Sequence, residues 1–281
     1  MEWTTRAALL SFMVLVGQLL AQQATVAVPP VSSILQRMHS RDFNERSKAF
    51  DKASELLASG KITADDIDRL KVGIIRLLIA ENASINLPDK VLAAQAAKYA
   101  AGCGNGTDNC ENDEEGESEY YPTLIGVVAG FNDERAIPAL VGTMPYASDA
   151  TGALLRFGDR AVGPILDQLK SPNALLRTSA LSMAISMEGR NQRVSPARIR
   201  EMLVSALSDP VSVVRSHTVR EIACRDDRGD FVPALEKLAK SDPVHWKGRA
   251  DDGVDGDQFY PVRFNARRAL REIQNNQPCG P

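Results

Sequence analysis

Apolar residues along most of this chain recur at intervals of three and four, the spacing that places side chains on one face of an α-helix. Ile199, Met202, Leu203 and Leu207 fall in this pattern, and so do Val213, Val214, Val219 and Ile222. Further helix-periodic runs are AVGPILDQLK, ARIREMLVSALS and DFVPALEKLAKS. In the N-terminal third, residues 32–58 read as one or two helices. Thr63-Ala64-Asp65-Asp66 resembles a capping box before the apolar run Ile74 to Ile79, and Pro88 precedes an Ala-rich helix predicted for residues 89–101. No stretch alternates apolar and polar residues as a half-buried strand would. The pattern predicts an all-α protein.

The helical runs also repeat. Arg177, Arg215 and Arg263 open similar stretches, RTSALSMAI, RSHTVREIA and RFNARRALREI. Six residues before the first two stand Ser171-Pro172 and Asp209-Pro210. Asp242-Pro243 stands in the same relation to Arg263 once a 15-residue insertion is removed. An apolar helical run precedes each turn, so the unit is helix, Asp-Pro turn, helix. Weaker copies begin at Arg46 and cover residues 136–157. Asp209 is positioned to cap the second helix, with Pro210 in its first turn. One such hairpin cannot bury its apolar face alone, so neighbours must stack into a superhelix.

This arrangement resembles HEAT repeats, in particular the short PBS-lyase HEAT-like variety. The resemblance is carried by ATGALLRFGDRAVGPILDQL (residues 150–169) and LSDPVSVVRSHTVREIA (207–223). It implies an α-solenoid, and it implies that Asp209, Arg215, Arg177 and Arg263 belong to a structural ladder between repeats. Ser171 replaces the acid in one repeat, which leaves the ladder imperfect there. HEAT modules serve many unrelated purposes, so the resemblance implies no chemistry, and no bilin-lyase activity is carried over from the name.

The predicted organisation has five parts. Residues 1–24 form a signal peptide, cleaved between residues 21 and 27; the apolar run Ala7 to Ala21 is short for a bilayer span and small residues follow it. Residues 31–102 cap the solenoid and residues 103–121 form an acidic loop. Repeats occupy 122–274, with an insertion near 245–260, and 275–281 are a tail. The mature protein is therefore expected to be secreted or otherwise extracytoplasmic, without stable membrane insertion.

Export changes how the cysteines read. Cys103 and Cys110 bracket a turn-forming segment and are the candidate disulfide, although four cysteines allow three pairings. Cys224 ends an apolar helical run and reads as a buried thiol; Cys279 lies in the tail.

Charge is uneven. Residues 1–150 carry 13 Lys and Arg against 20 Asp and Glu, and residues 151–281 carry 20 against 16. The overall pI near 5.7 speaks against a nucleic-acid partner. Arg177, Arg215, Arg263 and Arg220 have structural places in the repeats. The acidic loop carries Asp108, Glu111, Asp113, Glu114, Glu115, Glu117 and Glu119, a run that reads as a solvated loop before it reads as a Ca²⁺ or basic-partner site. The insertion carries Trp246, Asp251, Asp252, Asp255, Asp257, Phe259 and Tyr260, the candidate partner-contact loop. Its acids lack EF-hand spacing, because Arg263 stands where the bidentate Glu is required.

No HExxH, G-x-S-x-G or phosphate-binding glycine loop occurs. His217 stands four residues before Glu221, a spacing of surface pairs more than of catalytic dyads. Asn82-Ala-Ser84 and Asn105-Gly-Thr107 fit the glycosylation pattern. No catalytic, metal or cofactor residue is assigned. The expected function is binding of a protein or peptide partner through the solenoid surface. The alternative is a metal-assisted or hydrolytic enzyme using the acidic loops.

Overall fold

A computed structural model describes residues 30–94, 115–247 and 258–277. The predicted signal peptide, Cys103, Cys110, Cys279, most of the acidic loop, and Asp251, Asp252, Asp255 and Asp257 lie outside these residues.

Three helices open the fold. α1 spans Val31–Arg37 and α2 spans Phe43–Ser59, the latter capped by Asp42, which accepts from the Glu45 N–H, and closed by left-handed Gly60. α3 spans Ala64–Ile85 with Thr63 accepting from the Asp66 N–H, which is the predicted cap. Residues 89–94 are helical as well.

α4 spans Glu115–Gly130, so the last residues assigned to the acidic loop are helix instead. Glutamates in a first turn favour the helix N-terminus. Tyr120 then anchors the helix edge-on against Phe43 and Phe50, with ring centroids 5.2 and 5.8 Å away.

From α5 onward the helices pair. α5 (Ile137–Thr143) is followed by α6 (Ser148–Phe157), and α7 (Asp159–Asp167) by α8 (Ala174–Ser186). α9 (Pro196–Ala206) precedes α10 (Ser212–Ala223), and α11 (Val232–Ser241) precedes α12 (Pro261–Gln274). The insertion between α11 and α12 begins and ends in a short antiparallel ribbon, with Trp246 opposite Phe259 and Lys247 opposite Gln258.

Packing is between neighbours: α8 on α10, α10 on α12, α11 on α12, and towards the front α3 on α5 and α4 on α6. Each repeat buries its apolar stripe only against the adjacent one, and the buried side chains nevertheless join into one core from Val31 to Ala269. This is the α-solenoid predicted from the repeat pattern. Among the described residues, no helix is long and apolar enough to cross a membrane.

The predicted helix faces are largely the buried ones: Ile199, Leu203, Val214, Val219 and Ile222 are at most 2% exposed. Val213 departs from the expectation and is 43% exposed. Consecutive helical residues point about 100° apart, so with Val214 turned inward Val213 faces outward. α10 starts at Ser212, so Pro210 precedes the helix rather than lying in its first turn.

Candidate functional site

The repeats are joined by rungs built from one arginine each. The Arg177 guanidinium donates from Nη1 to the Ser171 carbonyl of its own turn (2.7 Å), and from Nε and Nη2 to both carboxylate oxygens of Asp209 in the next turn (2.8 and 2.9 Å). Arg215 repeats the arrangement, with the Asp209 carbonyl at 2.7 Å and both oxygens of Asp242 at 2.6 and 3.0 Å. Asp209 is therefore paired with the arginine of the repeat before it; its own repeat's arginine takes only its backbone oxygen. Arg46 follows the same plan at the front of the array, closing on the Ser40 carbonyl at 3.1 Å and on Glu81 at 3.0 Å.

The turn residue has a second task. Asp209 and Asp242 each accept the N–H two residues on, and Ser40 and Ser171 do the same with their hydroxyls. The choice between Ser and Asp follows from the preceding repeat. Aligning Met144-Pro145 of the α5–α6 repeat with Asp209-Pro210 puts Ala150 where later repeats have Arg. No arginine arrives at Ser171, so no carboxylate is needed there. What reads from sequence as a broken rung is a rung that does not exist.

Arg177 has an additional partner that the sequence did not indicate. Asp89, just after α3, lies 3.1 Å from Nη1 and also accepts the Ala174 N–H at 2.6 Å. The Leu87 carbonyl accepts from Asn173 Nδ2 at 2.9 Å. The N-terminal third thus reaches past an entire repeat to hold the start of α8.

A cleft of about 600 Å³ opens between α7 and α9. α7 gives way to a 3-10 turn at Gln168–Lys170, and the connection to α9 contains left-handed Gly189 and a further 3-10 turn. Leu166 and Leu169 form one wall, Met202 and Ala206 the other; Leu181 and Val214 floor it, and the Arg177–Asp209 pair closes it on one side. Lys170, Arg193 and Arg198 stand on the rim. Arg193 crosses over Gly163 so closely that a Cβ there would meet Nη1 at 2.8 Å. Apolar walls with a charged rim suit an amphipathic ligand.

On the second helices, Ser182, His217 and Glu221 meet. Ser182 Oγ lies 2.7 Å from His217 Nε2 and 2.6 Å from Glu221 Oε1, and Nε2 lies 3.1 Å from the same carboxylate oxygen. Hydrogen bonding from His217 and Ser182 holds the Glu221 carboxyl below its ordinary value, against the effect of burial. A nucleophilic relay needs imidazole to take the serine proton through one nitrogen while the acid holds the other. Here serine and acid share one nitrogen, and the serine proton is directed to the carboxylate. The trio joins α8 to α10, and Asn265 Nδ2 to Ser216 Oγ (2.6 Å) joins α10 to α12 in the same manner.

The remaining predicted positions are placed as follows. Arg220 is exposed and forms no ion pair among the described residues, so its expected place in the repeat is not a structural one. Cys224 is exposed at the end of α10 and is disulfide-bonded, and is not the buried thiol expected. A cysteine closing an apolar run reads as part of that run, but the helix ends at Ala223 and Cys224 has already turned outward. Asn82, in one glycosylation pattern, is 7% exposed; its amide donates to the Ala139 carbonyl (2.7 Å) and accepts from the Tyr121 hydroxyl (2.6 Å). A glycan cannot be accommodated there in the folded chain. Arg263 and Tyr260 stack, with the guanidinium 4.0 Å from the ring centroid. Among the described residues no group of three or more His, Cys, Asp or Glu is placed to hold a metal.

No protein-family profile and no curated protein matches the chain. Among solved structures it is similar to an engineered protein (18% identity, covering 88% of this chain and 98% of the other, TM-score 0.34). It is also similar to a designed armadillo repeat protein (18% identity, 86% and 99%, TM-score 0.33). The assignment to the HEAT- and armadillo-like α-solenoids therefore rests on the helix stacking and the rungs of this chain itself.

Proposed function

We propose that the chain is a helical-repeat scaffold that binds a protein or peptide partner, and that the cleft between α7 and α9 is a principal point of contact. The proposal includes work outside the cytoplasm after removal of the N-terminal segment, on the strength of the apolar run Ala7 to Ala21 followed by small residues.

The observation that carries the binding reading is the separation of α7 from α9. Here Leu166, Leu169, Met202 and Ala206 remain partly accessible along a trough about two turns of α9 long. Filling it with one large apolar side chain is worth about 1.5–3 kcal/mol by the area rule. The charged rim then fixes orientation. A short apolar segment flanked by polar residues matches both demands.

Selection from a displayed random-peptide library tests this. Peptides enriched on the full chain should share an apolar anchor, and they should lose binding to Met202→Arg and Ala206→Trp variants that retain the parental melting temperature. Enrichment that survives both substitutions, or none at all, would remove the cleft from the function.

A further inference from the structure

We propose that Arg263 is an open rung, and that the end of the array it occupies takes up a carboxylate from an acidic polypeptide other than a second copy of this chain. The site is separate from the cleft.

In the three earlier rungs, one edge of the guanidinium closes on the chain's own turn and the remaining edge meets a carboxylate on another element: Glu81 for Arg46, Asp209 for Arg177 and Asp242 for Arg215. Arg263 also meets its own turn, but through Nε where Arg177 and Arg215 use Nη1. Its Nε donates to the Asp242 carbonyl at 2.6 Å and its plane rests on Tyr260. No carboxylate lies within ion-pair reach of it among the described residues. The guanidinium is held by the stack and the carbonyl, part-buried, with Nη1 and Nη2 unspent among the described residues. A fixed fork of N–H donors is the geometry that recognises a carboxylate through both oxygens. The two inner rungs grip a carboxylate with Nε and Nη2; at Arg263, where Nε is taken, the pair left to do so is Nη1 and Nη2.

The rest of the exposed face of α12 agrees. Counting on from the rung arginine, Arg267 and Arg271 stand where α10 has Val219 and Ala223, which are buried. Both arginines are exposed and neither forms an ion pair among the described residues. With Arg263 they make a stripe at every fourth residue, about 6 Å apart along the helix. Glu272, the only acid on α12, is occupied by Arg268 at 3.6 Å. Arg267 and Arg271 alone would amount to a polar cap that stops further stacking. Arg263 is different, because it occupies the position that elsewhere in the array demands an acid.

A second copy stacking end to end does not meet that demand. The first turn of the array offers Ser40 at the place equivalent to Asp209 and Asp242, and a hydroxyl cannot fill the fork. The occupant is a different polypeptide with Asp or Glu on an exposed turn.

The test uses the full chain and a fluorescein-labelled Asp-rich peptide of twelve residues at low ionic strength, read by anisotropy. Arg263→Lys keeps the charge and loses the fork; it should weaken binding about tenfold, as should Arg267→Gln combined with Arg271→Gln, in line with the strength of charge-assisted pairs. Lys61→Gln combined with Arg76→Gln removes two exposed positive charges at the front of the array, away from both sites, and should leave binding unchanged. Four outcomes overturn the proposal. One is equal weakening by this control variant, which means general charge attraction. Another is tighter binding of an oligothymidylate of the same charge, which means phosphate. A third is a gain in affinity when Asp251, Asp252, Asp255 and Asp257 are all changed to Asn, which means that the chain's own insertion fills the rung. The last is no binding of the peptide to the parental protein.

Discussion

Asp242→Ala should destabilise the protein more than Asp209→Ala, although both remove a rung carboxylate and a turn acceptor. The difference lies in what each arginine retains. Arg215 and Asp242 are 7% and 3% exposed, and among the described residues no other carboxylate lies within salt-bridge distance of Arg215. Removing Asp242 leaves a buried guanidinium with only the Asp209 and Pro210 carbonyls, a loss of about 3–5 kcal/mol. Arg177 keeps Asp89 at 3.1 Å and the Ser171 carbonyl at 2.7 Å after Asp209 is gone. Its charge stays compensated, and the cost reduces to one charged hydrogen-bond pair and one turn bond, about 2 kcal/mol. Urea unfolding of the two variants, compared at equal slope, measures the contrast. Adding Asp89→Ala to Asp209→Ala should then cost more than the sum of the single changes, because only the double variant strands Arg177. Equal losses for Asp209→Ala and Asp242→Ala, or simple additivity with Asp89→Ala, would refute the assignment of rungs.

Gly142→Ala should lower stability by about 1–3 kcal/mol on the scale of core overpacking, because a Cβ there would stand 2.5 Å from the Asn82 amide nitrogen, which is fixed between Ala139 and Tyr121; thermal melting reads it. Glu221 has a folded-state pKa below its ordinary value of 4.5, so its contribution is present above that value and lost as pH falls through the lower folded one; Glu221→Gln should flatten the stability profile in that acid range and leave its shape unchanged near neutrality. Peptide mapping without reduction should find Cys224 cross-linked, and should find Cys103 joined to Cys110 as the sequence suggests; free thiols at both Cys103 and Cys110 in protein from an oxidising compartment would exclude that pair. N-terminal sequencing of exported protein should begin between Gln22 and Val28, and a full-length chain recovered from membranes would exclude cleavage.

How much of this was legible beforehand varies with the range of the interaction. The helices and their stacking follow from three- and four-residue periodicity, which is local, and the rung arginines recur at a fixed distance from their turns. Asp89 carries no such mark. Its partner lies 88 residues ahead, and nothing nearby distinguishes it from any acid in a first helical turn. Ser171 was visible but misread, because the significance of a turn residue depends on the repeat before it, where Ala150 had to be recognised as a missing arginine. The cleft was invisible for a related reason: α7 and α9 each look like ordinary repeat helices, and no local signal marks the space between them. Cys224 and Val213 show the limit of reading faces at helix ends, where one residue of boundary error turns a side chain from inside to outside.

Each rung is encoded in two places, its arginine in one repeat and its acid in the next. The natural unit of copying in this chain is therefore not the helical hairpin but the interval from one rung arginine to the following one. Excising the stretch from Thr178 to Arg215 would bring Arg177 into register with Asp242 and leave that rung supplied. Cutting instead at the boundaries of the hairpins next to Ala150 would join an arginine to a serine, or an acid to an alanine. Shortening or lengthening such an array, by recombination or by design, is safe in one phase and costly in the other. The Ala150–Ser171 junction is the single point where the two phases coincide.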